Sequence, residues 1–346
     1  MKKVLPLIFS ALVVLGVLAF FFFQKESREL ISPLAGKPVE KPLDKYTFEA
    51  LRKREFKGSE IKIGKVLKET DTFTSYIFYF NTEGEKGLPR QGRVSGLMNL
   101  PTKTGTYPVI VMFRGYIDKE KFTTGEGTRN SAEALSSAGF ITLAPDFLGF
   151  GESDKESSRP FEDRFQTYTT AITLLNSVKN LNKGLETIVN NNVQVDSEKV
   201  GIWGHSNGGH ISLSVLEITG KNYPTVLWAP VSKPFPYSIL YYTDEFDDKG
   251  KALRKVLAGF EKNYDVEKYS TTNFLDWINA PIELHQGIDD ESVPLKWSDN
   301  LIGELKKHHL DITYYTYPGE NHNFQNGSWP LAIQRSTSFY QNHFNK

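Results

Sequence analysis

The 346-residue sequence has no cysteine, which excludes disulfide bonds, thiolate metal sites and a cysteine nucleophile. It also lacks a charge bias. Its 41 basic and 41 acidic residues cancel, so nothing favours nucleic acid or another polyanion as the main partner. No repeat of about 20–50 residues is visible. The glycine-rich stretch TTGEGT, residues 123–128, has no lysine where a phosphate-binding loop requires one. The composition is otherwise that of a globular protein, with 39% hydrophobic residues and material for a large core.

Residues 4–23, VLPLIFSALVVLGVLAFFFF, run for 20 positions without a charge, about the length that spans a bilayer's hydrocarbon core. Two readings are open: an uncleaved membrane anchor, or a signal peptide cut after Val17-Leu18-Ala19. The cut would leave a mature chain that starts with four phenylalanines, so the anchor is preferred, with the main domain outside the cytoplasm. Lys2 and Lys3 support that orientation, whereas Lys25, Arg28, Lys37 and Lys41 weigh against it. Residues 24–45, with Pro33, Pro38 and Pro42, read as a tether, and residues 46–346 as the folded domain.

The first part of that domain alternates apolar and polar residues. EIKIGKVLKET, TFTSYIFYFNT and GRVSGLMNLP are expected to be antiparallel strands. From Tyr107 the pattern changes to continuous apolar runs, YPVIVMF, FITLAP, KVGIWG, PTVLWAP and APIELHQG. Strands buried on both faces read this way. Helices are expected between them over residues 128–138, 161–185, 207–219, 295–307 and 329–344. The fold class is therefore α/β, a mainly parallel sheet with helices on both faces and antiparallel N-terminal edge strands. Residues 232–279, charged and aromatic, break the alternation and read as a helical, lid-like insertion.

Ser206 stands in Gly204-His205-Ser206-Asn207-Gly208, a G-x-S-x-G pattern between an expected strand and an expected helix. Such a turn lifts the hydroxyl off the backbone, and only small neighbours fit around it. The plainer alternative is a helix N-cap serine. A serine nucleophile needs a base and an orienting carboxylate. Asp289 and Asp290 follow one later strand and His322 follows the next. The order Ser206, Asp290, His322 is that of α/β-hydrolases. Among the remaining histidines, His308-His309 reads as a solvated helix end rather than a metal site. His205 and His210 read as packing or positioning residues.

The chain resembles the α/β-hydrolases, and within them the prolyl-oligopeptidase-like and dienelactone-hydrolase-like serine hydrolases. The resemblance rests on G-x-S-x-G-G at Gly204 to Gly209, H-x-G-x-x-D-x-x-V-P at His285 to Pro294, G-x-x-H-x-F at Gly319 to Phe324, and APDFLGFGESD. It implies an oxyanion hole formed by the N–H groups of Asn207 and Tyr116. Arg114 stands where many relatives have histidine, and either lines the site or braces the loop. From Gly287 the motif spacing selects Asp290 over Asp289 as the partner of His322.

The resulting expectation is a serine hydrolase that works through Ser206, His322 and Asp290 and requires no cofactor. Its substrate would be a small carboxylic ester or, alternatively, a short peptide. The roughly 60 residues between the tether and the hydrolase strands are too few for a substrate-filtering propeller, which favours the ester. Phe235, Tyr237, Tyr241 and Tyr242 of the insertion suggest an apolar or aromatic acyl group. A catalytically silent binding protein on the same fold is the contrasting reading. Oligomeric state is not legible in the sequence.

Overall fold

The computed structural model describes residues 41–82, 92–189, 191–243 and 246–345. The apolar run at residues 4–23 and the tether up to residue 40 lie outside the described residues. Among the described residues no helix is long and apolar enough to cross a membrane. The end of the expected tether is already folded: Leu43 is buried against the core.

Nine strands form one sheet in the order β1-β2-β3-β5-β4-β6-β7-β8-β9. They are β1 (Lys62–Glu69), β2 (Phe73–Asn81), β3 (Arg93–Pro101), β4 (Gly105–Phe113), β5 (Ile141–Pro145), β6 (Val193–His205), β7 (Thr225–Trp228), β8 (Ile282–Gly287) and β9 (Ile312–Tyr317). The first three pair antiparallel, and β3 joins β5 antiparallel. Every later pairing is parallel. The edge strand β1 is largely exposed and carries Lys62, Lys65 and Lys68, charges that discourage edge-to-edge association.

Side-chain alternation divides the core into two layers. Along β4, Val109, Val111 and Phe113 point into one cluster, while Ile110 and Met112 point into the other. The first layer is covered by helices α3 (Glu162–Ser177), α5 (Asn207–Thr219) and α8 (Leu295–Lys307), through residues such as Phe165, Val215 and Leu301. The second is covered by α2 (Arg129–Ser137) and α9 (Trp329–Phe344), through Leu135 and Tyr340. Strands wedged between such layers are apolar at consecutive positions because both faces leave water, at about 1.5–3 kcal/mol per fully buried Val, Leu, Ile or Phe.

β6 is longer than its apolar segment suggests. Its first half pairs with Gly105–Pro108, and the register then jumps from Asp196 to Val200 opposite the step from Pro108 to Val109. Proline has no N–H for the ladder, so a register break is favoured there. α1 (Phe48–Lys53) and α4 (Leu181–Leu185) complete the outer layer. The insertion contains α6 (Tyr237–Leu240), α7 (Lys251–Glu261) and three short 3₁₀ turns between Val266 and Trp277. Much of it is core: Phe235, Leu257, Phe260, Tyr269 and Leu275 are buried.

α5 is buried along nearly its whole length and ends at Gly220, whose φ of 58° is left-handed and whose N–H donates to Leu216 C=O at 2.8 Å. Near that end Glu217 is fully buried, and neither carboxyl oxygen has a hydrogen-bond partner. Burial, and then the neighbouring Asp276, push its pKa well above the usual carboxylate value. The native state thus keeps a proton that the unfolded chain releases above about pH 4.3. Stability should fall as pH rises from there toward the native pKa. Glu217→Met should therefore raise unfolding stability by about 1–3 kcal/mol at pH 8 and by clearly less at pH 4. Urea melts at the two pH values check this; an equal effect at both would contradict it.

Candidate active site

One residue, Ser206, carries the chain from β6 into α5. It has φ 56° and ψ −120°, a strained conformation for a residue with a side chain. The surrounding backbone leaves no room for larger neighbours. A β-carbon on Gly204 would lie 2.5 Å from Gly208 O, and one on Gly208 would lie 1.9 Å from Phe113 O. The turn is anchored by Ser206 N–H donating to Trp228 C=O at 2.9 Å and by Val231 N–H donating to Ser206 C=O at 3.0 Å. The Ser206 side chain makes no capping hydrogen bond. The N-cap alternative therefore does not describe it.

Asp290 follows β8, and His322 lies in the loop between β9 and α9. Nδ1 of His322 is 2.8 Å from Oδ2 of Asp290. The same oxygen accepts from Gln286 Nε2 at 2.9 Å. The other carboxylate oxygen accepts from the N–H groups of Ser292 and Val293 at 2.9 and 2.7 Å. Burial raises the Asp290 pKa, but the His322 contact and these two N–H groups outweigh it and hold the carboxyl below its usual range. Asp289 is exposed, and its N–H donates to Glu320 C=O. Of the two neighbouring carboxylates, Asp290 is the one that meets the imidazole.

Ser206 and His322 line one cavity of about 1750 Å³, together with Tyr116 and Asn207. Asn207 opens α5, where the first N–H groups have no partner within the helix. Gly115 brings the loop after β4 against the turn: a β-carbon there would lie 3.0 Å from Ser206 Cβ. Arg114 braces this loop. Its Nη1 donates to Gly115 C=O at 2.9 Å and its Nη2 to Asp146 C=O at 3.1 Å. Its guanidinium lies 4.1 Å from the Phe150 ring centre. Burial lowers its pKa to about 10, which leaves it cationic at neutral pH.

His205 donates from Nε2 to His322 C=O at 3.0 Å, and the two rings are 4.6 Å apart. Burial, and then the adjacent His322, drive the His205 pKa down to about 3. It is neutral and positions the loop that bears His322. His210 is fully buried on α5 and is bonded to Val231, Tyr168 and Arg164. His308 caps the C-terminal end of α8 and His309 is exposed. No cluster of three or more His, Asp or Glu residues able to hold a metal occurs among the described residues. Residues 123–128 form a turn tied to the buried Asp146, which accepts from Thr124 Oγ1 and Gly125 N–H.

The insertion aromatics are placed differently from expectation. Phe235 is buried between Phe161, Phe165 and Phe260, with ring centres 5.5, 5.6 and 5.5 Å away. It packs there because Phe161, just before α3, Phe165 on α3 and Phe260 on α7 remove it from water. Tyr237 and Tyr241 lie beside Trp297. Tyr242 alone of the four lines the cavity, with Ile239, Phe246 and Leu253 nearby on the wall. Sequence reading also missed Gln286 and Arg164. Gln286 stands at the end of a strand as a plain buried amide, and Arg164 sits on a helix far from any motif.

The model of the prolyl oligopeptidase family matches residues 127–346. The uncharacterized peptidase YtmA of Bacillus subtilis is 26% identical over 253 residues, which span 72% of this chain and 89% of that protein. Among solved structures, an acetyl xylan esterase from Paenibacillus sp. R4 superposes with a TM-score of 0.57 at 14% identity, covering 89% of this chain and 96% of the esterase. A puromycin-hydrolyzing peptidase of Mycobacterium tuberculosis does so with a TM-score of 0.54 at 16% identity, over 81% of this chain and 45% of the peptidase. At such identities the superpositions speak for the α/β-hydrolase fold. The match over residues 127–346 covers more than half of the chain and takes in both the strand–Ser206–helix turn and the loop that bears His322: the chain belongs to the prolyl oligopeptidase family and is a serine hydrolase.

Proposed function

We propose that the protein is a carboxylesterase in which Ser206 is the nucleophile, His322 the general base and Asp290 the orienting acid. The observation that carries this reading is the His322–Asp290 hydrogen bond of 2.8 Å at the rim of the cavity into which the strained Ser206 turn projects. With Nδ1 engaged, Nε2 of His322 is the ring nitrogen left to take the Ser206 proton. Attack of Oγ on the ester carbonyl forms a tetrahedral oxyanion, received by the N–H groups of Asn207 and Tyr116. His322 then protonates the leaving alkoxide, and water cleaves the acyl-enzyme by the same route. The Ser206 side chain makes no capping hydrogen bond, and catalytic hydrogen bonds are often loose before substrate binds.

Ester rather than amide cleavage is favoured by leaving-group chemistry, since an alkoxide departs more readily than an unprotonated amine. The wall formed by Phe161, Val231, Ile239, Tyr242, Phe246 and Leu253 supplies apolar surface for an acyl chain. Family membership and the peptidase among the structural neighbours support a second reading, peptide hydrolysis by the same three residues.

A fluorophosphonate probe should label the wild type and leave Ser206→Ala unlabelled; labelling that survives the substitution moves the nucleophile elsewhere. Asp290→Asn should lower kcat by about 10⁴, the scale seen when a triad loses its carboxylate, whereas Asp289→Asn should cost far less. The opposite ranking in two folded variants would reassign the acid. In a panel of unactivated alkyl esters and matched aminoacyl or dipeptidyl anilides, kcat/KM should favour the esters. Faster cleavage of anilides or peptides would replace the esterase reading with the peptidase one.

A further inference from the structure

A second, smaller recess of about 240 Å³ adjoins the cavity. Tyr116, Asn207, Asp163 and Arg164 line both spaces, so the recess opens beside the two N–H groups assigned above to the oxyanion. Arg164, on α3, is held there in an unusual way. Its Nη2 lies 3.1 Å from His210 Nε2 and 3.3 Å from Ser238 Oγ. His210 Nδ1 is 3.1 Å from the Val231 carbonyl, which accepts only, so the ring proton sits on Nδ1. Nε2 is thus a bare lone pair that accepts from Arg164 and from the Tyr168 hydroxyl at 2.9 Å. Burial and the adjacent guanidinium keep this imidazole uncharged, with a pKa of about 3.

A partly buried guanidinium usually meets a carboxylate. Among the described residues the hydrogen-bond partners of Arg164 are the neutral His210 and Ser238 rather than a carboxylate, and its buried Nε has no partner. Arg114, which also lines the recess, likewise has an unpartnered buried Nε. Of the other charges, Glu156 is paired with Lys119 and Asp146 accepts from Ser95 and Thr124. Asp163 also lines the recess, exposed at its rim and without an ion pair among the described residues. His210 orients Arg164 without neutralising it, so a fixed cation that forms no ion pair among the described residues borders the recess, with the exposed Asp163 as the unpaired carboxylate near it. The recess has room for a carboxylate and a few methylenes, about eight waters' worth of space at ~30 Å³ each.

We propose that this recess is a subsite for a small carboxylate, anchored by Arg164 and borne either by the acyl chain of the substrate or by a free short-chain acid. The substrate-borne case rests on the assignment of Ser206 as nucleophile; binding of a free acid does not. His210 and Tyr168 are positioning residues that aim Arg164.

The test compares ethyl hydrogen glutarate with its neutral isostere ethyl valerate, using the full chain and a pH-stat. The ratio of kcat/KM, anionic over neutral, should fall about 10- to 100-fold in Arg164→Met, the scale of a lost charge-assisted hydrogen bond. Arg164→Lys should restore part of it. A ratio that moves less than about threefold in a folded Arg164→Met protein, together with no glutarate binding to Ser206→Ala by calorimetry, overturns the subsite. Glutarate that binds Ser206→Ala and competes with ethyl valerate, with no advantage for the anionic ester, assigns the site to a free acid. Calorimetry on Ser206→Ala stands in should Arg164→Met fail to fold. If the wild type cleaves neither ester and takes no fluorophosphonate, the esterase reading fails, and glutarate binding still decides the subsite on its own.

Discussion

The direction in which the chain leaves His205 sets the whole site. A positive φ at Ser206 turns the backbone through a sharp corner, so that a buried strand and a buried helix meet with one side chain standing clear of both. The corner is strained, and the structure holds it by contacts that tolerate no adjustment. Trp228 and Val231 grip the amide and carbonyl of Ser206, and the glycines on either side lie against other backbone atoms. The ends of β4, β7, β8 and β9 then arrange their loops around that point. The parallel sheet brings its C-terminal strand ends to one edge, which is where open α/β sheets bind ligands.

Burial sorts the ionisable groups of this region. Asp290 remains a carboxylate because donors surround it: one imidazole, one amide side chain and two backbone N–H groups. His205 and His210 lack such support and are driven neutral by desolvation. Their neutrality has a use. Each serves as a fixed hydrogen-bonding group, His205 toward the backbone of His322 and His210 toward Arg164. Neither adds a positive charge near His322, the imidazole that becomes positive during turnover in the proposed mechanism.

The sequence was most informative where local chemistry and long-range packing agree. Small residues packed around Ser206 and an apolar stretch on each side mark a strand, a tight turn and a helix, and α5 runs over the expected residues 207–219. The spacing from Gly287 that picks Asp290 is legible because the turn after β8 needs its own pattern of backbone donors. Other features depend on partners distant in sequence. Phe235 reads as a substrate-facing aromatic of the insertion until α3 and α7 are packed against it. The first half of β6 is too polar to announce a strand and exists because β4 offers it a partner. Arg164 carries no motif, and only the folded structure shows that a buried imidazole, His210, is its hydrogen-bond partner.

The contact between His205 and the backbone of His322 joins residues 117 positions apart in the chain. It ties the strand that leads into Ser206 to a loop synthesised much later. The first strands can pair with their neighbours while the ribosome is still working, since the early hairpins are local in sequence. The proposed triad cannot, because Asp290 and His322 arrive only with β8, β9 and the loop that follows. On the proposed assignment, a nascent chain therefore holds Ser206 before its two partners exist beside it, and the site is complete only once the far side of the sheet has closed.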